Sequence, residues 1–242
     1  LCFSKTLEGN DHTIYRLDVR PFIEGRHFTG SLAELESLAF HLSQLHNAFE
    51  KYPGKETIRQ KAAHRYKRLE EINHKLKYAL NDNKKEFFHE KAQWADRHLS
   101  WLNKMANQFR PRYHQLSDAQ PIHGEIHPGN IIFSDTGPVF IDFEESVHGY
   151  APPIWDLAYL MQRFCLGGQS SKKDMVDRFD VIKPFFSFDP KDLQEMLRQT
   201  AFLSMAVLLD LRHNHQIVSP ISEYDKFVEL ESQADQQEFL FW

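Results

Sequence analysis

The sequence predicts an α+β fold that is mainly helical, with a small β element near the amino terminus and one β-hairpin in the middle. Apolar and polar residues alternate within residues 12–23, which is the period-two pattern of a strand. Two short apolar runs at 131–133 and 139–141 flank a turn that contains Gly137, and this order predicts a hairpin. Most of the chain after Ser31 has the apolar spacing of helices.

The remaining elements can be placed in chain order. Residues 1–7 are predicted to pair with the strand in 12–23 across a turn at 9–11. Ser31 is a predicted helix cap, and Glu34 three positions later predicts a capping box. Further helices are predicted at 56–107 with a break near 81–83, and at 153–165, 172–183, 190–213 and 220–239. The segment 190–213 is apolar on nearly every side, so we expect that helix to be central and buried.

Composition limits the class of protein. The 242 residues, 41% of them hydrophobic, can bury a core as one large domain or as a domain with a small lobe. A net charge of -5 argues against a nucleic-acid partner. No apolar run reaches the roughly 18 residues that span a bilayer, so no membrane contact is expected. Cys2 and Cys165 form no disulfide framework, and no signal peptide is visible, so we expect a cytoplasmic protein.

One basic segment leaves an alternative open. Residues 51–77 contain nine Lys or Arg and three Glu, a local net charge of 9 - 3 = +6. A solvated helix face is the favoured interpretation. A phosphate or nucleic-acid site is the alternative, although the segment lacks the interleaved aromatic residues on which bases stack.

The stretch PIHGEIHPGNIIFSDTGPVFIDFEE at 121–145 carries the chemistry. Phosphoryl transfer needs a carboxylate that orients the attacking hydroxyl and accepts its proton, and hard oxygen ligands that hold Mg²⁺. Four residues separate Glu125 from Asn130, which is the gap in the kinase catalytic loop. Asp142 ends the second hairpin strand, so the hairpin would bring it to the same end as Asn130, where both could reach one metal ion.

Three ordered motifs, HGEIHPGN, FIDFEE and GYAPPIWDLAYL, resemble the aminoglycoside phosphotransferase and choline kinase family, the phosphotransferase enzyme family. They are closest to its homoserine kinase and stress-response kinase branch. The resemblance implies a protein-kinase-like fold. Residues 1–24 would be a remnant of the N-terminal lobe strands and the hinge, and 25–242 the helical C-terminal lobe. That lobe would contain the catalytic loop at 123–130 and the metal-binding hairpin at 131–143.

The resemblance also implies roles for the residues of the loop and hairpin. Glu125 stands at the position of the catalytic base, and His123 at that of the histidine that braces the loop. Asn130 and Asp142 stand at the Mg²⁺ positions, and Glu144 could add a further carboxylate to the metal site.

The remaining implied roles concern ATP and the support of the loop. The hinge residues Arg20, Phe22 and Ile23 would contact adenine through their backbone. His127 would contact phosphate, or else pack the loop. Asp156 matches a buried aspartate that ties down the loop backbone.

Two departures from the family pattern affect the expected activity. Glu125 replaces the usual Asp, and a misplacement of about 1 Å can lower a rate roughly 10²-fold. The predicted hinge comes about 20 residues after Leu1, and Lys5 lacks the context of a phosphate-binding lysine. We therefore expect a truncated or degenerate N-terminal lobe.

The leading hypothesis is an ATP-dependent kinase that phosphorylates a hydroxyl of a small molecule, such as an amino alcohol, an aminoglycoside-like compound or a related metabolite. Glu223 and Asp225 are candidates to face a cationic acceptor. The alternative is a catalytically inactive, kinase-like binding module. His41 and His46 are interpreted as ordinary helix residues.

Overall fold

A computed structural model describes residues 3–8, 14–19, 22–81, 88, 92–166, 171–215 and 220–235. Its helices are α1 (Leu32–Glu50), α2 (Lys55–Asn81), α3 (Ala92–Arg97), α4 (Leu99–Gln108), α5 (Ile154–Leu160), α6 (Lys172–Ile182), α7 (Pro190–His215) and α8 (Ile221–Asp235). Its strands are β1 (Phe3–Glu8), β2 (Ile14–Val19), β3 (Gln120–Pro121), β4 (Ile131–Ser134), β5 (Gly137–Phe140) and β6 (Tyr150–Ala151). The predicted α+β class, mainly helical with small sheets, is confirmed.

The strands form three separate antiparallel pairs. β1 pairs with β2 in a register that runs from Phe3 opposite Val19 to Glu8 opposite Ile14, as the alternating pattern predicted. The predicted turn at 9–11 lies outside the described residues.

The segment that follows β2 crosses the central hairpin. Arg26 donates its backbone N–H to the carbonyl of Phe133 at 3.0 Å and accepts one from Phe133 at 2.8 Å. A Cβ atom at Gly25 would lie 2.5 Å from Ile132 Cγ2, so only glycine fits where this segment crosses β4. This crossing fixes the predicted hinge region against β4.

The amino terminus of α1 differs in one respect from the prediction. Ser31 Oγ accepts the backbone N–H of Glu34 at 3.2 Å, so the predicted cap forms. The Glu34 carboxylate does not return to the cap. It accepts the N–H and hydroxyl of Thr29 at 2.8 and 2.7 Å and pairs with Arg26. The capping box predicted a second hydrogen bond, from the Ser31 N–H to the Glu34 carboxylate, and that part of the prediction is wrong. The carboxylate connects α1 to the segment 26–29 instead.

The core surrounds α5 and α7. The prediction that 190–213 forms a central buried helix is confirmed, since α7 packs against α2, α4, α5 and α8 and buries residues along much of its length. Its fully or almost fully buried apolar side chains are Leu193, Leu197, Ala201, Phe202, Met205, Ala206 and Leu209. The helix of α5 continues at 161–165 as a π-helical turn. Within the described residues, no helix has both the length and the apolar character that crossing a bilayer requires.

The central hairpin has the predicted order and a tight two-residue turn. β4 pairs with β5 from Ile131 opposite Phe140 to Ser134 opposite Gly137. Gly137 has a φ of 121°, and an added Cβ would lie 3.1 Å from the His41 ring. Glycine therefore permits both the turn and the close contact with α1.

Replacement of Leu42 by alanine tests the contribution of the α1 face. Leu42 is fully buried, so Leu42→Ala should lower the free energy of unfolding by about 2–5 kcal/mol through lost burial and a new cavity. Leu32→Ala is the matched control, because Leu32 is 41% exposed, and its effect should be below about 1 kcal/mol. Urea unfolding of both variants measures the difference, and equal losses would contradict this packing.

Candidate active site

The predicted catalytic loop, 123–130, lies in the segment that connects β3 to β4. Its entry is fixed by β3, where Gln120 and Pro121 pair with Ala151 and Tyr150 of β6. Ile122 extends the pairing by donating its N–H to the carbonyl of Gly149 at 3.1 Å. The loop therefore starts beside the segment that leads into α5.

Asp156 on α5 holds the loop backbone. Its carboxylate is fully buried and accepts the backbone N–H groups of His123 and Gly124, both at 2.8 Å. A buried carboxylate is stable only when its oxygens are hydrogen-bonded, and two N–H donors meet that requirement in part. Asp156 therefore joins α5 to the backbone of the loop.

His46 supplies the third donor, and the interpretation of His46 as an ordinary helix residue is wrong. Its Nε2 lies 2.9 Å from Asp156 Oδ2, and its side chain is only 7% exposed. The apolar spacing of α1 contains a clue, because Leu35, Leu38 and Leu42 precede His46 on the same buried face. A histidine on such a face needs a polar partner, although the sequence does not show which one.

Gly124 allows the loop to turn at the point where Asp156 holds it. Its φ of 88° lies in the left-handed region, and an added Cβ would be 3.4 Å from the Cβ of Glu145. Glu145 in turn forms an ion pair with Arg65 of α2. The basic helix therefore faces the loop, and part of its charge is neutralised there.

His123 links the loop to the segment after β5. Its Nε2 donates to the carbonyl of Ile141 at 3.0 Å, while its Nδ1 accepts the N–H of Glu125 at 3.4 Å. Its ring lies 4.7 Å from the ring of Phe143, and the residue is fully buried. Ser146, which the sequence did not single out, donates its hydroxyl to the His123 carbonyl at 2.9 Å. These contacts make His123 a brace of the loop.

Glu125 has a partly exposed side chain, with one carboxylate oxygen 3.9 Å from His127 Nε2. The Nδ1 of His127 accepts the N–H of Gly129 at 3.0 Å, so in the neutral ring the proton is on Nε2. Burial lowers the pKa of His127; Glu125 and Asp142 act to raise it, and Arg163 acts to lower it. A neutral imidazole at pH 7 therefore presents its one proton toward Glu125.

Asn130 and Asp142 come together at the open end of the hairpin. Ile141, one residue before Asp142, donates its N–H to the carbonyl of Asn130 at 3.0 Å. Asn130 Nδ2 donates to the carbonyl of Glu125 at 3.1 Å, which closes the loop. Asp142 is exposed and has a φ of 60°, a conformation that Asp tolerates better than most residues. The predicted loop and hairpin residues are thus neighbours in space.

The donor set fits Mg²⁺. The side-chain oxygens of Asn130 and Asp142 accept no hydrogen bond from any described residue, and both are hard oxygen donors. Within the described ranges, no group of three or more His, Cys, Asp or Glu could hold a metal ion alone. Mg²⁺ usually takes one or two protein ligands and completes its coordination with substrate phosphates and water. Glu144 is exposed two residues after Asp142 and is available on the same segment.

The predicted adenine contacts are Arg20, Phe22 and Ile23. Arg20 is outside the described residues. Phe22 is 92% exposed, and Ile23 is partly exposed. Among described residues, no hydrogen bond or ring contact joins Phe22 or Ile23 to the loop. Their assignment to ATP stays a prediction.

Glu223 and Asp225, the carboxylates suggested to face a cationic substrate, have other partners. Asp225 accepts the Trp94 indole N–H at 2.8 Å and lies 3.7 Å from His98. Glu223 lies 3.7 Å from Lys226 on the same helix. Asp225 therefore joins α8 to α3, and Glu223 forms an ion pair on the surface of α8.

A loop braced by a buried aspartate, followed by a hairpin that carries an aspartate, on a mainly helical lobe, defines a protein-kinase-like fold. The model of the phosphotransferase enzyme family matches residues 5–179. The chain therefore belongs to the phosphotransferase enzyme family, whose members transfer phosphoryl groups to small molecules.

Solved structures support the fold. The chain is similar to choline kinase LicA from Streptococcus pneumoniae, with a TM-score of 0.53 at 14% identity, over 95% of this chain and 74% of that chain. It is also similar to LicA in complex with AMP, with a TM-score of 0.50 at 14% identity, over 95% and 73%. No curated protein sequence matches the chain.

A double-mutant cycle tests the His46–Asp156 contact. Because both side chains are buried, His46→Phe and Asp156→Asn should be coupled by about 1–3 kcal/mol in the free energy of unfolding. The His98–Asp225 pair is the matched control, since its side chains are 27% and 53% exposed, and its coupling should be below about 1 kcal/mol. Chemical denaturation of each set provides the energies. Additive effects at His46 and Asp156 would show that the contact contributes nothing.

Proposed function

We propose that this protein transfers the γ-phosphate of ATP to a hydroxyl group of a small molecule. The observation that carries the proposal is the link from the Glu125 carbonyl to the Asn130 side chain, and from the Asn130 carbonyl to Ile141, the residue before Asp142. A base and two oxygen ligands of Mg²⁺ are the parts that phosphoryl transfer requires of a protein. In phosphoryl transfer the protein mainly positions the reactants and stabilises the charge of the transition state. A rigid loop and hairpin can do both.

Glu125 is the proposed general base. Its side chain is partly exposed, so an acceptor hydroxyl can approach it, and its backbone is held on both sides by His123 and Asn130. His127 is proposed to donate a hydrogen bond from its Nε2–H to Glu125 or to a phosphate oxygen. With its backbone held and its carboxylate partly exposed, the longer Glu side chain would reach the position that Asp serves in the family.

Asn130 and Asp142 are the proposed ligands of Mg²⁺, with Glu144 as a further carboxylate near the metal. When bound, Mg²⁺ would neutralise charge on the phosphates of ATP. One structure of LicA is a complex with AMP, which supports the proposal that this chain binds an adenine nucleotide.

An amino alcohol or aminoglycoside-like compound is the proposed acceptor class. Support comes from the motif resemblance and from the choline kinase named among the similar structures. Neither Glu223 nor Asp225 is part of this proposal, because each has partners elsewhere. We expect no nucleic-acid partner, since three cations of α2 face carboxylates of the protein: Arg65 with Glu145, Arg59 with Glu56 and Lys75 with Asp210.

A catalytically inactive binding module is the second candidate, and the observation that favours it is Glu125 itself. The two candidates differ in whether the carboxylates of Glu125 and Asp142 are needed for function. A kinase requires both Glu125 and Asp142, whereas a binding module is indifferent to conservative changes at either position.

Replacement of Asp142 tests the nucleotide and metal site. In the wild-type protein, ATP with Mg²⁺ should raise the melting temperature, because a ligand that binds only the folded state stabilises it. The increase should be larger than with ATP alone. Asp142→Ala should remove the Mg²⁺-dependent part. Asp135→Ala, at the opposite end of the same hairpin, should keep it. A wild-type protein with no shift would contradict the nucleotide assignment.

Replacement of Glu125 tests the base. Glu125→Gln removes the proton acceptor but keeps the shape, so kcat for phosphate transfer should fall about 10²–10⁴-fold. Nucleotide binding should change less than threefold. The assay follows ADP formation with a panel of amino alcohols and aminoglycosides. If the wild-type protein binds Mg²⁺ and ATP but transfers no phosphate to any acceptor, the binding-module candidate is favoured.

A further inference from the structure

A cavity of about 240 Å³ is lined by α2 and by the segment that follows α4. Its wall includes no residue of the catalytic loop or of the hairpin, so it is separate from the proposed active site. The α2 part of the wall belongs to the basic segment 51–77, and it lies about two helical turns beyond Arg65. The polar lining residues are Glu70, Asn73, His74, Lys77, Arg110 and Arg112.

One wall residue, Asn73, has a buried polar atom without a partner. The residue is 6% exposed, and its Nδ2 donates to the carbonyl of Ala106 on α4 at 3.0 Å. This hydrogen bond fixes the orientation of the amide, so the remaining atom, Oδ1, is an acceptor. No described residue donates a hydrogen bond to Oδ1. A buried acceptor without a donor costs free energy, so the site favours a ligand that supplies a hydroxyl or N–H group.

Two arginines of the wall are held in place by one edge of each guanidinium group. Arg110 Nη1 donates to two backbone carbonyls at the carboxyl-terminal end of α4, at 2.6 and 2.8 Å. Arg112 Nε donates to the Glu70 carboxylate at 3.1 Å. Neither set of contacts uses the remaining N–H groups of these side chains. Guanidinium groups that are already positioned can bind an anion with little further loss of side-chain freedom.

The wall also has an excess of positive charge. Lys77 joins the two arginines there, and Glu70 is the one carboxylate among the lining residues. No hydrogen bond or ion pair joins Lys77 or His74 to another described residue. The whole chain has a net charge of -5, so this positive potential is local to the cavity and does not follow from the overall charge.

We propose that this cavity binds a small phosphate ester that also carries a hydroxyl group, such as a phosphorylated polyol. The cations would hold the phosphate, and the hydroxyl would donate to Asn73 Oδ1. A volume of about 240 Å³ is below the roughly 300–1,000 Å³ of sites for drug-sized ligands, so it suits a smaller molecule. A neutral polyol would leave the cations without a counter-ion, and a simple anion would leave Oδ1 without a donor. The proposal does not depend on the proposed kinase activity.

Glycerol 3-phosphate is a suitable probe. Propyl phosphate is its matched control, because it keeps the carbon skeleton and the phosphate but lacks the hydroxyl groups. Isothermal titration calorimetry with the whole chain should show that glycerol 3-phosphate binds at least fivefold more tightly than propyl phosphate. Glycerol should show no binding. Equal affinity for the two phosphate esters, or binding of neither, would overturn the proposal.

Substitution of the cations locates the phosphate. The double variant Lys77→Gln, Arg112→Gln should weaken binding of glycerol 3-phosphate at least tenfold. The control variant Lys61→Gln, Arg68→Gln changes the net charge equally at exposed positions of α2 outside the cavity wall. It should change the affinity less than twofold. Equal losses in the two variants would show a general charge effect and overturn the proposal.

Replacement of Asn73 locates the hydroxyl. In Asn73→Ala, the affinity for glycerol 3-phosphate should fall to within twofold of that for propyl phosphate. The affinity for propyl phosphate should change less than twofold, because that ligand makes no hydrogen bond to Oδ1. Equal losses for both ligands would contradict the assigned hydrogen bond and overturn the proposal. The comparison of the two ligands tests the same hydrogen bond in the wild-type protein, and it decides the question if this variant does not fold.

Two further measurements separate this cavity from other phosphate sites. Asp142→Ala should leave the affinity for glycerol 3-phosphate unchanged, because Asp142 does not line the cavity. Single-stranded oligouridylate, which carries phosphate and hydroxyl groups on a polymer, should not displace glycerol 3-phosphate. Loss of binding in Asp142→Ala, or displacement by the polymer, would overturn the proposal. Failure of the kinase proposal would appear only in phosphate transfer and nucleotide binding, so the two results are independent.

Discussion

The buried carboxylate of Asp156 is the interaction on which the candidate active site depends. An ionised carboxylate in the interior is costly unless its oxygens are fully hydrogen-bonded, and this one accepts two loop N–H groups and faces His46. The same contacts fix the backbone of His123 and Gly124. The requirement to satisfy one buried charge therefore determines the path of the catalytic loop, two residues before Glu125.

The rest of the site follows from this fixed point through short backbone links. Asn130 closes the loop by donating to the carbonyl of Glu125, and the β4–β5 register then places Ile141 opposite Asn130. Asp142 is thereby beside Asn130, and no described residue donates a hydrogen bond to its carboxylate. This arrangement leaves the Asp142 carboxylate free for a ligand while its position is determined by the hairpin. Such preorganisation is what charge stabilisation in phosphoryl transfer requires.

Sequence patterns predicted the features that depend on residues close to one another in the chain. The hairpin, the Ser31 cap and the buried helix α7 each follow from turn chemistry or apolar periodicity, and the structure contains all three. The spacing of Glu125, Asn130 and Asp142 predicted their proximity because a loop and a two-stranded turn connect them. His46 was missed because its partner lies 110 residues away in sequence.

A crystal structure with Mn²⁺ and a non-hydrolysable ATP analogue tests the central claim most directly. Mn²⁺ replaces Mg²⁺ at oxygen sites and can be located by its anomalous scattering. We expect a metal ion coordinated by Asn130 Oδ1 and the Asp142 carboxylate, with the phosphates on the same ion and Glu125 facing the γ-phosphate. A nucleotide bound with its metal away from Asn130 and Asp142 would show that these residues do not form the metal site.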